Sequence, residues 1–231
     1  MYNNKSFLAI IPARSGSKGI PDKNIKEINH KPLMAYTIET CQRAKVFDEI
    51  IVSTDSMHYA KIARAYGASI PFIRPEHLAS DSASTLDVIL HVLHELNALG
   101  RTYDYFMLLQ PTSPLRTEEN IIQSIDVLFN HDANTVISIC KLDHPTNLTV
   151  QLNAVGRLDF VFDDSKQVRR QDIESEFRIN GAIYLCNIDY FLKYKSFYGE
   201  KSHPYIMSKL SSIDIDDIDQ FKLVEAFMLI Q

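Results

Sequence analysis

The stretch Phe7-Leu-Ala-Ile-Ile-Pro-Ala-Arg-Ser-Gly-Ser-Lys-Gly-Ile-Pro-Asp-Lys-Asn24 decides the fold. Residues 7–13 form an apolar run that reads as a strand, and the next eleven break it with two glycines and three cations. At the carboxyl end of the first strand of an α/β sheet, a glycine-containing turn lets backbone amides approach an anion closely. Arg14, Lys18 and Lys23 add positive charge to that turn, so the segment suits a polyphosphate. The spacing is neither G-x-x-x-x-G-K-[ST] nor G-x-G-x-x-G, which counts against a P-loop kinase and against a dinucleotide dehydrogenase. Glycine is otherwise scarce, seven in 231 residues, about half the usual ~7%. A local pair, Gly16 and Gly19, therefore needs a reason.

Outward from this stretch, apolar strands alternate with helical periods, the sign of a mostly parallel sheet. Helices are expected over residues 33–44, 56–66, 85–99, 118–129 and 218–230, and strands over 49–54, 103–109 and 135–142. Short strands are expected at 149–152, 158–162 and 182–186, around the charged stretch DDSKQVRRQDIESEFR, so that residues 144–200 read as an insertion or arm on a core of 1–143 and 201–231. The aromatics Tyr190, Phe191, Tyr194, Phe197 and Tyr198 at its end read as exposed, a partner surface or ligand lid. The chain reads as one domain over 1–231.

Composition narrows the function. Apolar residues are 45% and charged residues 23%, a globular balance. The net charge of −5 argues against nucleic acid as a partner and confines any phosphate site to a local cluster. Cys41, Cys140 and Cys186 are scattered and form no C-x-x-C pair, which points to a reducing compartment, with cytoplasm the expected location. The apolar run before Arg14 is too short to span a membrane and lacks the layout of a signal peptide.

Three further segments carry chemistry. Ser212-Ile-Asp-Ile-Asp-Asp-Ile-Asp219 alternates with period two, so a strand over 212–216 would put Asp214 and Asp216 on one face, ~7 Å apart. Two carboxylates at that spacing can converge on magnesium, whose remaining positions take water and substrate phosphate. Asp217 and Asp219 are expected to cap the last helix instead. Leu108-Leu-Gln-Pro-Thr-Ser-Pro-Leu-Arg-Thr117 ends a strand in a proline-fixed turn that would present the Gln110 amide at the ligand edge of the sheet. Arg74-Pro-Glu-His-Leu-Ala-Ser-Asp-Ser-Ala-Ser-Thr85 sets an arginine beside a hydroxyl-rich helix start, a place for phosphate or ribose.

With IIPARSGSKGIPDKN, RPEHLASD, LLQPTSPLRT, RRQD, RINGAIY and SIDID in this order, the sequence resembles the acylneuraminate cytidylyltransferases, the CMP-sialic acid synthetase family, from about residue 7 to 227. The wording of the motifs resembles the CMP-legionaminic acid branch at least as much as the sialic one. One departure, His144-Pro-Thr-Asn147 without the lysine that sialic-acid members commonly carry there, leaves the exact sugar open. The resemblance implies a Rossmann-like α/β nucleotidyltransferase core with a protruding dimerisation arm, and a homodimer in which the arm completes the partner's site.

The resemblance also implies substrates and roles. CTP and a nonulosonic acid would be the substrates, magnesium the cofactor with manganese as the alternative, and neither nucleic acid nor membrane a partner. Arg14, Ser17, Lys18, Lys23, Asn24, Arg74 and Thr85 would bind the nucleotide. Gln110, Arg170, Arg178, Asn180, Tyr184, Phe197 and Tyr198 would surround the sugar or belong to the dimer arm. Asp214 and Asp216 would hold the metal, and with Arg14 and Lys23 would form the catalytic set. The rivals are a CMP-Kdo-type synthetase and a catalytically silent nucleotide-sugar-binding protein.

Overall fold

A computed structural model describes residues 2–80, 82–144, 146, 150–159 and 175–230. The elements run β1 (Phe7–Pro12), β2 (Glu27–Ile28), β3 (Lys31–Pro32), α1 (Leu33–Ala44), β4 (Glu49–Ser53), α2 (Met57–Ala65), α3 (Thr85–Ala98), β5 (Tyr105–Leu108) and α4 (Glu118–Asn130). They continue with β6 (Thr135–Lys141), β7 (Gln151–Leu152), β8 (Leu158–Asp159), β9 (Phe177–Asn187), α5 (Ile188–Tyr194), β10 (Ser202–Ile206) and α6 (Ile218–Ile230). The main sheet has the order β10-β6-β9-β5-β1-β4. Pairing is parallel for β1 with β4 and β5 and for β10 with β6, whereas β9 runs antiparallel to both of its neighbours.

Burial of β1 on both faces explains its unbroken apolar run. Phe7, Ala9 and Ile11 pack with Met34, Ile38 and Cys41 of α1, Ala60 of α2 and Ile125 of α4. Leu8 and Ile10 face the other way, onto Ile89, Val92 and Leu96 of α3 and Phe191 of α5. Helices thus cover both faces of the sheet, and the α/β reading holds. Local signals set the helix starts: Ser56 and Ser84 accept the amides of Tyr59 and Asp87, and Thr117 forms a capping box with Asn120.

Three expectations change. Residues 212–216 are not a strand; Ser212 ends a turn, and the Ile215 amide donates to the Thr112 carbonyl at 2.8 Å, with no strand beside it among the described residues to complete a ladder. The strand expected over 182–186 is the much longer β9, which lies in the middle of the sheet between β5 and β6. Most of the described part of the expected arm after residue 176 is therefore core, and the arm reading is left to residues 144–176, of which 145, 147–149 and 160–174 lie outside the described residues. β10, unforeseen, extends the sheet beyond β6.

The aromatics also divide. Tyr194 and Tyr198 are exposed, but Phe191 is fully buried and meets Phe106 edge-on with centroids 4.9 Å apart. Phe197 is half-buried against Phe106, Tyr184 and Phe191. Phe191→Ala should therefore cost about 3–5 kcal/mol of folding stability, read as a lowered denaturant midpoint. A loss below ~1 kcal/mol would return α5 to the role of a lid or partner surface.

Candidate active site

The parallel order of β4, β1 and β5 brings their carboxyl ends to one edge, the usual ligand edge of an α/β sheet. The loop after β1 is shaped there by two glycines with different tasks. Gly16 has φ +72°, the left-handed region that favours glycine. Gly19 has no such angle, but a Cβ added to it would stand 2.9 Å from the backbone carbonyl oxygen of Asp216. Only a residue without a side chain lets the basic loop lie against the acidic segment 214–216. Lys23 closes the same contact from its side, donating from Nζ to the Ile215 carbonyl at 2.7 Å and standing 4.0 Å from Asp216 Oδ1. Asn24 is buried and donates to the Arg14 carbonyl at 3.0 Å, and Arg14 donates to the Ala79 carbonyl at 3.1 Å.

Arg74 is 4% exposed. Its Nε and Nη2 donate to the hydroxyl and carbonyl of Ser53 at 3.0 and 2.5 Å. Burial pushes its pKa down to about 10, which still leaves it charged at neutral pH.

These side chains surround a cavity of about 550 Å³ lined by Arg14, Ser17, Lys18, Lys23, Asn24, Arg74, Thr85, Gln110 and Asp216. All seven residues expected at the nucleotide are on its wall. A second cavity, of about 320 Å³, is lined by Gln110, Tyr184, Phe197 and Tyr198, with Thr85, Leu86, Leu108, Lys195 and Ser196. The two share Thr85 and Gln110, so they adjoin, and both lie in the size range of small-molecule sites.

Asp214 and Asp216 are less alike than a shared strand face would make them. Asp216 is exposed and lines the larger cavity. Asp214 is half-buried, and its Oδ1 has no hydrogen-bond partner among the described residues. Burial raises the Asp214 carboxyl above its ordinary value and the Asp216 charge adds to this, against a hydrogen bond from Thr112 and the charges of Lys23 and Arg178. A buried carboxylate oxygen without a donor, beside a second carboxylate, is a donor set that fits a hard divalent cation. No cluster of three or more His, Cys, Asp or Glu side chains able to hold a metal occurs among the described residues, so water and phosphate would complete the shell. Asp217 caps α6 as expected, accepting from the amides of Asp219 and Gln220 at 2.9 and 2.8 Å.

Two expected sugar residues are not on these walls. Asn180 is buried, and its amide is spent internally: Nδ2 donates to Ser212 Oγ at 2.8 Å, and Oδ1 accepts from Ser138 Oγ at 2.5 Å and from the Ala182 amide at 3.1 Å. It joins β9 to β6 and to the turn before Asp214. Arg178 is exposed on β9, donates to the Ser212 carbonyl at 3.3 Å and lines a different cavity with Lys209 and Phe227. Arg170 lies outside the described residues. Sequence reasoning in turn missed residues that brace the site. Asp22, at φ 52°, accepts from the buried Tyr59 hydroxyl at 2.9 Å, and Asp55 accepts from Ser15. An aspartate directly after a strand, on the ligand edge, was the available signal for Asp55.

A basic glycine turn lying against an acidic segment beside two adjoining cavities, on an α/β sheet of this order, is the architecture of a Rossmann-like nucleotidyltransferase. The chain belongs to the cytidylyltransferase family, whose model matches residues 8–230. It is 41% identical over 218 residues to an N-acylneuraminate cytidylyltransferase of Escherichia coli, covering 94% of this chain and 51% of that protein. It is 33% identical over 229 residues to a CMP-N,N'-diacetyllegionaminic acid synthase of Legionella pneumophila, covering 96% of each. The chain thus spans about half the length of the first relative and nearly all of the second. Among solved structures it is similar in fold to a CMP:2-keto-3-deoxy-manno-octonic acid synthetase complexed with CTP, with TM-score 0.73, 16% identity, and coverage of 97% of this chain and 98% of that one.

The close approach at Gly19 gives a direct test of the site. Gly19→Ala must push the loop from the Asp216 carbonyl, so affinity for a nucleoside triphosphate should fall at least about tenfold, since displacements near 1 Å at such sites cost up to ~10²-fold. Titration calorimetry would measure it; unchanged affinity would separate the loop from the nucleotide.

Proposed function

We propose that the chain transfers CMP from CTP to the anomeric hydroxyl of a nonulosonic acid of the sialic or legionaminic type, releasing pyrophosphate. The observation that carries this reading is the pair of adjoining cavities with Thr85 and Gln110 in common. A triphosphate nucleotide fits the larger, with its basic loop and Arg74, and a sugar acid the smaller, with its aromatic and hydroxyl wall. The anomeric hydroxyl oxygen forms its bond to the α-phosphorus as the α-phosphorus bond to the bridging oxygen breaks; pyrophosphate leaves with that electron pair, and the hydroxyl proton passes to solvent. An in-line approach places the donor and acceptor in neighbouring chambers, as here.

Arg14, Lys18 and Lys23 hold the leaving pyrophosphate and offset charge that grows on it, while Arg74 and Asn24 fix the nucleotide. Gln110 orients the sugar from the shared wall, and Tyr184, Phe197 and Tyr198 exclude water around it. Magnesium, or manganese in its place, would be held by Asp214 and Asp216 and would supply charge compensation at the phosphoryl oxygens. Most of the rate enhancement then comes from position and electrostatics. Cysteine chemistry is not involved: the described thiols are free and buried, and burial pushes the Cys41 thiol up to about 12. These free thiols also support a reducing, cytoplasmic setting, and no helix among the described residues is long and apolar enough to cross a membrane. Arg178, outside both cavities of its own chain, supports a homodimer in which one subunit reaches the site of the other.

The test is a panel of sialic, legionaminic, pseudaminic and Kdo acids, each incubated with CTP and magnesium, with products identified by mass. A CMP-nonulosonic acid is expected; CMP-Kdo as the main product would favour the Kdo reading, and CTP binding without any product the silent binder. Asp216→Asn should lower pyrophosphate release about 10²–10³-fold, the scale of one lost transition-state contact. Release at the wild-type rate in magnesium would remove Asp216 from the metal site.

A further inference from the structure

Asp55 is not on the wall of the larger cavity, yet it acts on the loop that forms part of that wall, through Ser15, and on Arg74, which lines it. It lies two residues past the end of β4, at the carboxyl edge. Both of its oxygens are taken by one residue of the basic loop: Ser15 donates its amide to Oδ1 at 2.8 Å and its hydroxyl to Oδ2 at 2.5 Å. The next residue, Gly16, makes the left-handed turn, and Ser17, Lys18 and Gly19 then line the cavity. Ser15 is thus the last residue pinned to the sheet edge before the chain turns over the cavity.

The second group is Arg74. The charge of Arg14 works against that of Arg74, whereas the charge of Asp55, behind the cavity wall, supports it. Burial opposes ionisation of Asp55, but the two Ser15 hydrogen bonds and Arg74 hold its carboxyl below the ordinary value, so it is an anion at neutral pH.

We infer that Asp55 is a positioning residue for the triphosphate, fixing the start of the Gly16–Gly19 turn through Ser15 and steadying Arg74 by its charge, without touching the nucleotide. This rests on the reading of the larger cavity as the nucleotide site. The inference makes a prediction of definite sign. A carboxylate near an anion site repels phosphate, so an Asp55 that were only a counter-charge would, once neutralised, leave phosphate bound more tightly. An Asp55 that positions the loop would, once neutralised, leave it bound more weakly.

Calorimetric titration of the full chain with CTP, inorganic tripolyphosphate and cytidine, the last by displacement, separates the cases. Asp55→Asn should weaken CTP and tripolyphosphate about 10- to 100-fold and change cytidine by less than about twofold. Ser15→Ala, which keeps the charge and the amide bond but loses the hydroxyl bond, should weaken the same two ligands by a smaller factor. Unchanged or tighter CTP and tripolyphosphate binding in Asp55→Asn overturns the inference, as does an equal loss for cytidine, which would mark a general structural role. If Asp55→Asn does not fold, Ser15→Ala decides by the same comparison. Failure of the wild-type chain to form any CMP-sugar would overturn the proposed reaction but leave this comparison of phosphate with nucleoside intact.

Discussion

The geometry of the site depends on one buried cation. Arg116 is 2% exposed, and no carboxylate stands within ion-pair reach of it among the described residues. Its guanidinium instead donates to three neutral acceptors: the Ala182 carbonyl of β9 at 2.7 Å, the Gln110 carbonyl at 3.3 Å and the Thr37 hydroxyl of α1 at 2.8 Å. Desolvation pushes its pKa down to about 10, so it stays charged, and Nε is left without a partner among the described residues. An isolated buried charge is costly. The cost is offset only while the proline turn, β9 and α1 keep these positions together, so the three cannot drift independently.

What Arg116 holds is the place where Gln110 crosses β9. Gly181, at φ +76°, lies directly beneath: a Cβ there would stand 3.1 Å from Gln110 Oε1 and 3.8 Å from Asp214 Oδ2. The register between β6 and β9 shifts near this point, between Ile137 and Ile139, and Asn180 consumes the polar groups the irregularity exposes. Gly19 and Gly181 thus serve one end from two sides. One lets the basic loop approach the acidic segment, and the other lets Gln110 and Asp214 approach the antiparallel strand.

How far the sequence discloses this follows from how local each signal is. α1 begins and ends where its apolar period does, and the basic loop was legible because its glycines and cations are contiguous. β9 was hidden because Arg178, Asn180 and Gly181 interrupt the apolar run that remains visible at 182–186; the polar side chains of Arg178 and Asn180 are satisfied by Ser138 and Ser212, contacts remote in sequence. Residues 212–216 misled in the opposite direction. Period-two alternation reports an extended chain with one side buried, and here Ile215 is fully buried while Asp216 is exposed, but no strand lies alongside to make it a sheet member. The roles of Asn180 and Arg178 could not be read from their motif because burial and direction, not residue type, decide them.

Electrostatics then explains why the chain can be acidic overall and still present a phosphate site. Arg14, Lys18, Lys23 and Arg74 line one cavity; burial weakens Arg74's hold on its proton, and the charge of Arg14 adds to this. The acids that offset it lie at the margins of that cavity: Asp55 behind the loop and Asp214 beneath Gln110, with Asp216 at the wall near Lys23. A triphosphate entering the cavity meets cations first and would relieve their repulsion, while Asp214 and Asp216 repel it unless a cation lies between. On the proposed function the same arrangement would favour a nucleotide and a divalent cation together over either alone, because each would remove a repulsion that the other otherwise meets.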